Sequence, residues 1–163
     1  KPIIGKVQGP AYGGGVGIVS VCDIIIASED ANFVFSEVTL GITPATISPY
    51  VVAAIGERQA HRYFLTAEMF DAWKALELRL VHQVVPPEKL VSTVDKLVDK
   101  MMDNSPAAMV AAKQLVRNVS KKPIDLILLN DTAKRIADIC ATAEGKEGIQ
   151  AFLEKRKPSW IYE

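Results

Sequence analysis

Three consecutive glycines at positions 13–15 constrain this chain more than any other feature. They follow a β-branched segment at residues 3–7 and the chain-reversing pair Gly9-Pro10, and an apolar run that can form a helix starts at Gly14. Where a strand passes through glycines into a helix, the first N–H groups of the helix stay free and a ligand can approach the main chain closely. The pattern predicts a site for negative charge, either a bound phosphate or an oxyanion formed in a transition state.

Two phosphate-binding motifs do not fit this stretch. A Walker loop requires Gly-Lys-Ser/Thr after its spacer, whereas Gly15 is followed by Val16 and Gly17. The dinucleotide fingerprint G-x-G-x-x-G would need a glycine where Ile18 stands. Close packing of a helix on a strand explains a glycine run equally well at this point, so an oxyanion site and a packing role both stay open.

The composition is that of an ordinary globular protein. The 163 residues are 49% hydrophobic and 23% charged, and the formal net charge is zero. No basic surface therefore indicates nucleic acid or an anionic membrane as a partner. The longest charge-free run, between Glu37 and Glu57, is interrupted by Pro44 and Pro49. We expect no membrane-spanning segment and no nucleic-acid partner.

Cysteine and histidine are too sparse for a disulfide framework or a metal centre. Cys22 and Cys140 are the two cysteines, which favours a reducing compartment and a cytoplasmic location. His61 and His82 have no cysteine or histidine at ligand spacing. We therefore expect no metal site, and His61 is expected on the surface of a helix.

Strand and helix patterns alternate along the first part of the chain, which favours a layered α/β core. The predicted strands are residues 3–7, 23–27, 32–35 and 80–85, and the predicted helices are residues 14–21, 44–55, 58–65 and 71–78. Gly56 is expected to end the second of these helices. Trp73 and Trp160 are expected to be packing residues.

The remaining chain has a helical pattern. Apolar residues recur at helical spacing from Leu90 onward, and Ser105 and Pro106 match the N-cap and first position of a further helix. A helix over residues 124–140 carries more apolar side chains than a single buried stripe requires. This surplus predicts self-association, and burial of the same surface within the chain's own domain is the alternative.

Glu37 is the candidate general acid or base. It follows a predicted strand, where a side chain can reach into a site, and its neighbours include Phe33, Phe35 and Val38. Apolar surroundings disfavour a charged carboxylate and so suit the group to proton transfer. Taken alone, a single glutamate at the end of a strand is more often a surface residue.

The chain resembles the crotonase (enoyl-CoA hydratase/isomerase) superfamily. The resemblance rests on the stretch KPIIGKVQGPAYGGG, the Cys22-Asp23-Ile24 that follows, the pair Phe33 and Glu37 at F-x-x-x-E spacing, and the ending EGIQAFLEKRKPSW. It implies an α/β fold: a crotonase-like ββα spiral core, with residues 1–104 as its C-terminal part, and a helical trimerisation region at residues 105–163. We expect the family's N-terminal half to be missing from this chain, and the resemblance implies a homotrimer or hexamer.

The same resemblance implies a catalytic site. Glu37 stands where crotonases keep their second catalytic glutamate, and Gly14 would donate its backbone N–H to the oxyanion of a thioester enolate. The implied substrate-binding positions are Gly13, Gly15, Gly17, Ala45, Phe152 and Lys155, the last two at the CoA site of a neighbouring subunit. The substrate would be an acyl-CoA thioester, so coenzyme A is part of the substrate and no separate cofactor is expected.

Gly17 departs from the family pattern, because hydratases usually carry their first catalytic glutamate at this position. Either Glu37 alone handles the water, or the chemistry needs one base, as in a double-bond isomerase. The vacated space could also admit a bulkier or acidic acyl group. This would agree with the stretch SPYVVAAIGERQAHRYFLTAE, which resembles bacterial methylglutaconyl-CoA hydratase-like members. We expect an enoyl-CoA hydratase of fatty-acid metabolism or leucine degradation, with an isomerase or a non-catalytic paralogue as alternatives.

Overall fold

A computed structural model describes residues 1–161, which divide into two compact units. The first unit is Ile3–Lys96, and the second contains Lys1–Pro2 and the chain from Leu97 onward. The strands are β1 Ile4–Val7, β2 Ala11–Tyr12, β3 Ile24–Ser28, β4 Asn32–Val34, β5 Phe70–Asp71 and β6 Gln83–Val85. The helices are α1 Gly14–Val21, α2 Ser48–Ile55, α3 Glu57–Thr66, α4 Ala72–Glu77, α5 Leu90–Met102, α6 Pro106–Val119, α7 Leu126–Ala141 and α8 Ala143–Glu154.

Two small sheets organise the first unit. In one sheet β3 lies between β1 and β6, and all three strands are parallel. Helix α1 lies in the connection between β1 and β3, because neighbouring parallel strands require a crossover connection. In the other sheet β2 pairs in parallel with β4, and β4 pairs antiparallel with β5. The second sheet is short, but it brings the glycine bend beside the end of β4.

An aromatic cluster anchors the strand that precedes the candidate acid/base. Phe33 and Phe35 are fully buried, and their rings contact Phe70 and Phe64 respectively. The Phe35 and Phe64 ring centroids lie 4.9 Å apart, with their planes at 75°. Tyr63 on α3 also contacts Phe70, at 4.6 Å between centroids. Edge-to-face and tilted aromatic pairs add to the stabilisation from burial, so this strand end is rigidly supported.

The helices of the second unit begin at side-chain caps. The N–H groups of Ala108, Leu128 and Gly145 donate to the side chains of Ser105, Asp125 and Thr142, the N-caps of α6, α7 and α8. Each cap satisfies a donor that has no partner within its own helix. The predicted Ser105 cap and Pro106 start are therefore confirmed.

Several predicted boundaries were wrong for identifiable reasons. The helix predicted over residues 44–55 begins only at Ser48, because residues 45–47 form a turn in which the Ser48 N–H donates to the Pro44 carbonyl. The strand predicted over residues 80–85 is confined to β6, because Arg79 adopts φ 63° and the following N–H groups donate to the Ala75 carbonyl. The two-residue strands β2 and β5 were missed, since two residues carry no periodic pattern.

The two tryptophans have different environments. Trp160 packs as predicted: its ring lies against Gly148, and its indole N–H donates to the Asp103 carbonyl at 3.2 Å. The prediction for Trp73 was wrong, because this side chain is 53% exposed. The short helix α4 buries Ala72 and Ala75, which lie three positions apart, and Trp73 falls off that face. His61 is exposed, as expected.

Candidate active site

The glycine bend is held against the end of β4. The Gly13 N–H donates to the Val34 carbonyl at 2.8 Å, which extends the pairing of β2 with β4 by one residue. Gly13 has φ 48° and ψ −118°, a region that is open to glycine and strained for residues with a Cβ. Helix α1 starts at the next residue, so this conformation turns the chain directly from a strand into a helix.

The first turn of α1 presents free N–H groups. The Gly13 carbonyl accepts from the N–H groups of Val16 and Gly17 at 3.0 and 3.3 Å. Within the described residues, the N–H groups of Gly14 and Gly15 donate no hydrogen bond. A Cβ placed on Gly14 would meet nothing within 4 Å, so the space beside it is open. Free donors at a helix N-terminus favour negative charge.

Glu37 begins a short 3₁₀ helix, Glu37–Leu40, just after β4. Its side chain is half-buried and lies against the bend: Oε1 is 3.3 Å from the position that a Cβ on Gly13 would occupy. Its Oε2 is buried and has no hydrogen-bond partner among the described residues. Burying a carboxylate oxygen without a hydrogen-bond partner costs free energy, so such an oxygen requires an explanation. A group that is kept available for a ligand is one such explanation.

A cavity of about 520 Å³ opens between α1, Glu37 and the segment that leads into α2. Its lining residues are Gly14, Gly17, Ile18, Val21, Glu37, Ile42, Thr43, Pro44, Ala45, Thr46, Ile47 and Tyr50. Glu37 is the only carboxylate in this lining, and the lining contains no lysine, arginine or histidine. The arrangement combines a carboxylate, an open helix N-terminus and apolar walls, which is the combination that proton transfer next to a developing oxyanion requires.

Comparison with known proteins identifies the family. The family model described as enoyl-CoA hydratase/isomerase matches residues 1–162. The chain belongs to this family. The crotonase resemblance inferred from the glycine stretch and its flanking motifs is therefore confirmed.

Individual relatives of this enoyl-CoA hydratase/isomerase family member agree with that assignment. The chain is similar to the short-chain-enoyl-CoA hydratase of Clostridium acetobutylicum, with 35% identity over 96% of this chain and 60% of the relative. It is 34% identical to the 2,3-dehydroadipyl-CoA hydratase of Escherichia coli, over 98% of this chain and 63% of that protein. It thus spans roughly three-fifths of the length of these curated relatives.

A solved structure supports the fold. The crystal structure of an enoyl-CoA hydratase from Shewanella pealeana superposes on this family member with a TM-score of 0.93 and 47% identity. The match covers 98% of this chain and 60% of that one. The predicted α/β crotonase-like fold is therefore confirmed. The predicted division into a core at residues 1–104 and a trimerisation region at residues 105–163 stays a prediction.

Gly17 of this family member lines the cavity, but the volume that a side chain at this position would occupy is already filled. A Cβ placed there would overlap the Ile47 side chain, with the Ile47 Cβ at 2.8 Å and its Cγ2 closer still. The expectation that a missing side chain at this position leaves room for a larger acyl group was therefore wrong. The volume that Gly17 leaves is filled by Ile47, which arrives from a segment thirty positions further along the chain.

Of the other predicted substrate-binding residues, some line the cavity and some lie elsewhere. Ala45 lines the cavity with Gly14 and Gly17. Gly15 is not in the lining, and a Cβ on it would stand 3.9 Å from the Ala11 side chain, so it faces β2. Phe152 and Lys155 belong to the second unit: Phe152 is 82% exposed on α8, and Lys155 ends that helix with φ 54°. Their role at the CoA site of a neighbouring subunit stays a prediction.

Some lining residues were missed by sequence reasoning. Ile18 and Val21 were among them. Together with the predicted Gly14 and Gly17 they follow the i, i+3, i+4, i+7 spacing of one helical face, so the α1 wall could have been found from periodicity. The Ile47 wall could not, because the segment before α2 has no regular pattern. Among the described residues no group of three or more His, Cys, Asp or Glu side chains is arranged to bind a metal ion. No helix in the same part of the chain is long and apolar enough to cross a bilayer.

Proposed function

We propose that the protein carrying this chain is an enoyl-CoA hydratase, a lyase that adds water to a 2-enoyl-CoA thioester. The observation that carries the proposal is the shared cavity: the Glu37 carboxylate, with one buried oxygen lacking a partner, faces the same space as Gly14, whose N–H is free. The named hydratases among the relatives support it. Coenzyme A enters as part of the substrate, and the reaction requires no separate cofactor or metal.

Each group has a defined task in this reaction. Glu37 accepts a proton from water as the water oxygen bonds to C3 of the enoyl group. The electron pair of the double bond moves toward the thioester, whose oxygen becomes an enolate, and the Gly14 N–H donates a hydrogen bond to that oxygen. Glu37 then returns the proton to C2. One oxyanion donor contributes roughly 10²–10³-fold to the rate and a positioned acid/base about 10²–10⁴-fold.

The residues that line the described cavity favour some acyl groups over others. A branched 2-enoyl group is uncharged and suits the apolar lining formed by Ile18, Val21, Ile42 and Ile47. Methylglutaconyl-CoA carries a free carboxylate in addition to its thioester, and the described lining offers no cation to pair with it. Within leucine degradation or fatty-acid metabolism, we therefore place an uncharged branched or short acyl group ahead of methylglutaconyl-CoA as the substrate.

Assembly and location are part of the same proposal. Helix α7 and the residues before it expose a row of large apolar side chains, including Ile124, which is 85% exposed, and Ile127, which is 81% exposed. An apolar surface of this kind is typical of a subunit interface. We propose a cytoplasmic homotrimer or hexamer, and sedimentation of the intact protein as a monomer would contradict it.

Replacement of Glu37 by glutamine tests the assignment directly. The change keeps the shape of the side chain but removes its ability to accept a proton, so we expect kcat for hydration of crotonyl-CoA to fall by about 10²–10⁴-fold. Steady-state hydration of crotonyl-CoA, a branched 2-enoyl-CoA and methylglutaconyl-CoA by the intact protein supplies the measurement. Glu29→Gln, the same substitution in an exposed turn, is the matched control. Equal turnover in the two variants would end the hydratase proposal.

A double-bond isomerase is the second candidate, and the single carboxylate of the cavity favours it. With Ile47 filling the space over Gly17, Glu37 is the only carboxylate in the described lining. An isomerase removes a proton from one carbon and returns it to another without using water. Supplying a 3-enoyl-CoA separates the two: formation of the 2-enoyl product without water addition would identify the isomerase. A protein that binds no CoA thioester in calorimetry would instead be a non-catalytic paralogue.

A further inference from the structure

The contact between Gly17 and Ile47 joins two parts of the site that are distant in sequence. Gly17 is buried in the middle of α1, and its N–H donates to the Gly13 carbonyl, so the helix backbone is fixed at this point. The Ile47 side chain stands directly over the Gly17 Cα, in the volume that any other residue would use for its Cβ. No volume is left between the Gly17 backbone and the Ile47 side chain for a further atom.

Ile47 itself is held in place from the other direction. It is the residue before α2, and its carbonyl accepts from the N–H groups of Tyr50 and Val51, both at 3.1 Å. Its half-buried side chain packs against the hydrophobic core and also lines the cavity that contains Glu37. Isoleucine is branched at Cβ and has few accessible rotamers. An acyl group in the cavity therefore meets a wall that cannot retreat.

We propose that Ile47, seated on Gly17, is the residue that limits the size of the acyl group beside Glu37. The inference rests on the proposed function, since it concerns the acyl group of a CoA thioester. Gly17 is required because any Cβ there would push Ile47 out of its seat and into the cavity. The two residues act as one unit: Gly17 sets how deep Ile47 sits, and Ile47 sets how much room the substrate has.

Binding of two saturated thioesters that cannot react tests this pair. Calorimetry with the intact protein gives the Kd of butanoyl-CoA and of 3-methylbutanoyl-CoA, which differ by one methyl branch. Ile47→Ala removes the wall, and we expect the preference for the branched thioester to rise by about tenfold, the lower end of what one methylene contributes in an apolar pocket. Gly17→Ala displaces Ile47 into the cavity, and we expect the preference to shift in the opposite direction.

The double variant separates a coupled pair from two independent changes. In Gly17→Ala/Ile47→Ala the clash is gone, so its preference should match that of Ile47→Ala alone. Ile42→Ala is the matched control, because Ile42 lines the same cavity and is not among the atoms nearest to a Cβ on Gly17. Its effect should add to that of Gly17→Ala.

The outcomes distinguish this inference from the proposed function. Two results would overturn the role of Ile47 and leave the proposed function intact. One is thioester binding with an unchanged preference for the branched thioester in Ile47→Ala, and the other is additive effects of Gly17→Ala and Ile47→Ala. Absence of thioester binding by the wild type would overturn the proposed function and this inference with it. Ile47→Val, which removes a single methyl, should shift the preference in the same direction as Ile47→Ala by a smaller factor, and it answers the question if Gly17→Ala does not fold.

Discussion

At the scale of single residues, Gly13 and Glu37 illustrate how a backbone conformation supports the proposed acid/base. Gly13 turns the chain with a positive φ, and this turn leaves its α-carbon beside the Glu37 carboxylate. A side chain at position 13 would be strained by the backbone and would contact the carboxylate as well. The glycine is therefore required twice, once for the turn and once for the approach of Glu37.

Replacement of Gly13 by alanine should reveal both requirements. We expect the free energy of unfolding to fall by about 1–3 kcal/mol because of the unfavourable backbone conformation. We also expect kcat to decrease, because the new Cβ would stand 3.3 Å from Glu37 Oε1 and displace it. Urea denaturation and steady-state kinetics measure the two effects. Gly9→Ala is the control, since a Cβ there would meet nothing within 4 Å. Identical behaviour of the two variants would refute this account.

At the scale of elements, Glu144 and Ser105 connect the start of α8 with the start of α6. The Ser105 hydroxyl donates to the Glu144 carboxylate, which also accepts from the Ala107 N–H at 3.0 Å. The hydrogen bond from Ser105, and to a smaller extent that from Ala107, lowers the pKa of Glu144 below its ordinary value. The carboxylate thereby satisfies a free N–H in the first turn of a helix other than its own, and this ties the two helix starts together.

Loss of the Ser105 hydroxyl should weaken this connection. Ser105→Ala removes the N-cap of α6 together with the donor to Glu144, and we expect the free energy of unfolding to fall by about 1–2 kcal/mol. Ser120→Ala offers a comparison in an exposed serine just after α6, for which we expect a change within about 0.5 kcal/mol. Chemical denaturation monitored by circular dichroism measures both. If Ser105→Ala were as stable as Ser120→Ala, the cap would have no energetic role.

At the scale of the whole molecule, the response to pH is expected to depend on an ion pair near the C-terminus. Arg156 donates from its two terminal nitrogens to the two oxygens of Glu147 at 2.6 and 2.9 Å, and the Ser159 N–H donates to the same carboxylate at 2.9 Å. The hydrogen bond from Arg156, followed by that from Ser159, lowers the pKa of Glu147 from 4.5 to about 2. A bidentate pair of this kind fixes the chain that follows α8.

The sign of the pH effect follows from this lowered pKa. A carboxylate whose pKa is lower in the folded state stabilises that state fully above its unfolded value, near 4.5, and the stabilisation is lost as the pH falls toward about 2. We therefore expect Glu147→Gln to have a lower Tm than the wild type near neutral pH, and the difference should shrink as the pH falls through this range. Glu88→Gln, an exposed carboxylate elsewhere, serves as the control. A difference that is constant or larger in acid would contradict the role of Glu147.

Local patterns predicted much of this fold. The bounds of α1, the Ser105 cap and the end of α2 at Gly56 were all predicted, because each depends on neighbours within a few residues. The apolar strand before Glu37 made it a candidate acid/base, but only the family resemblance favoured that role over an ordinary surface glutamate. Patterns failed where contacts between distant residues decide the outcome, as at Trp73, which the two-alanine face of α4 leaves exposed.

The sequence by itself determined the family, through motifs along the chain, and predicted the glycine bend, because turn chemistry is a local property. It also offered Glu37 as the candidate acid/base. Only the tertiary structure decided what fills the space over Gly17. That space belongs to a helix and to a segment some thirty residues away, and steric exclusion between them has no signature in either stretch alone. The shape of the cavity is therefore a property of the packed chain, whereas the types of side chain available to it can be read from the sequence.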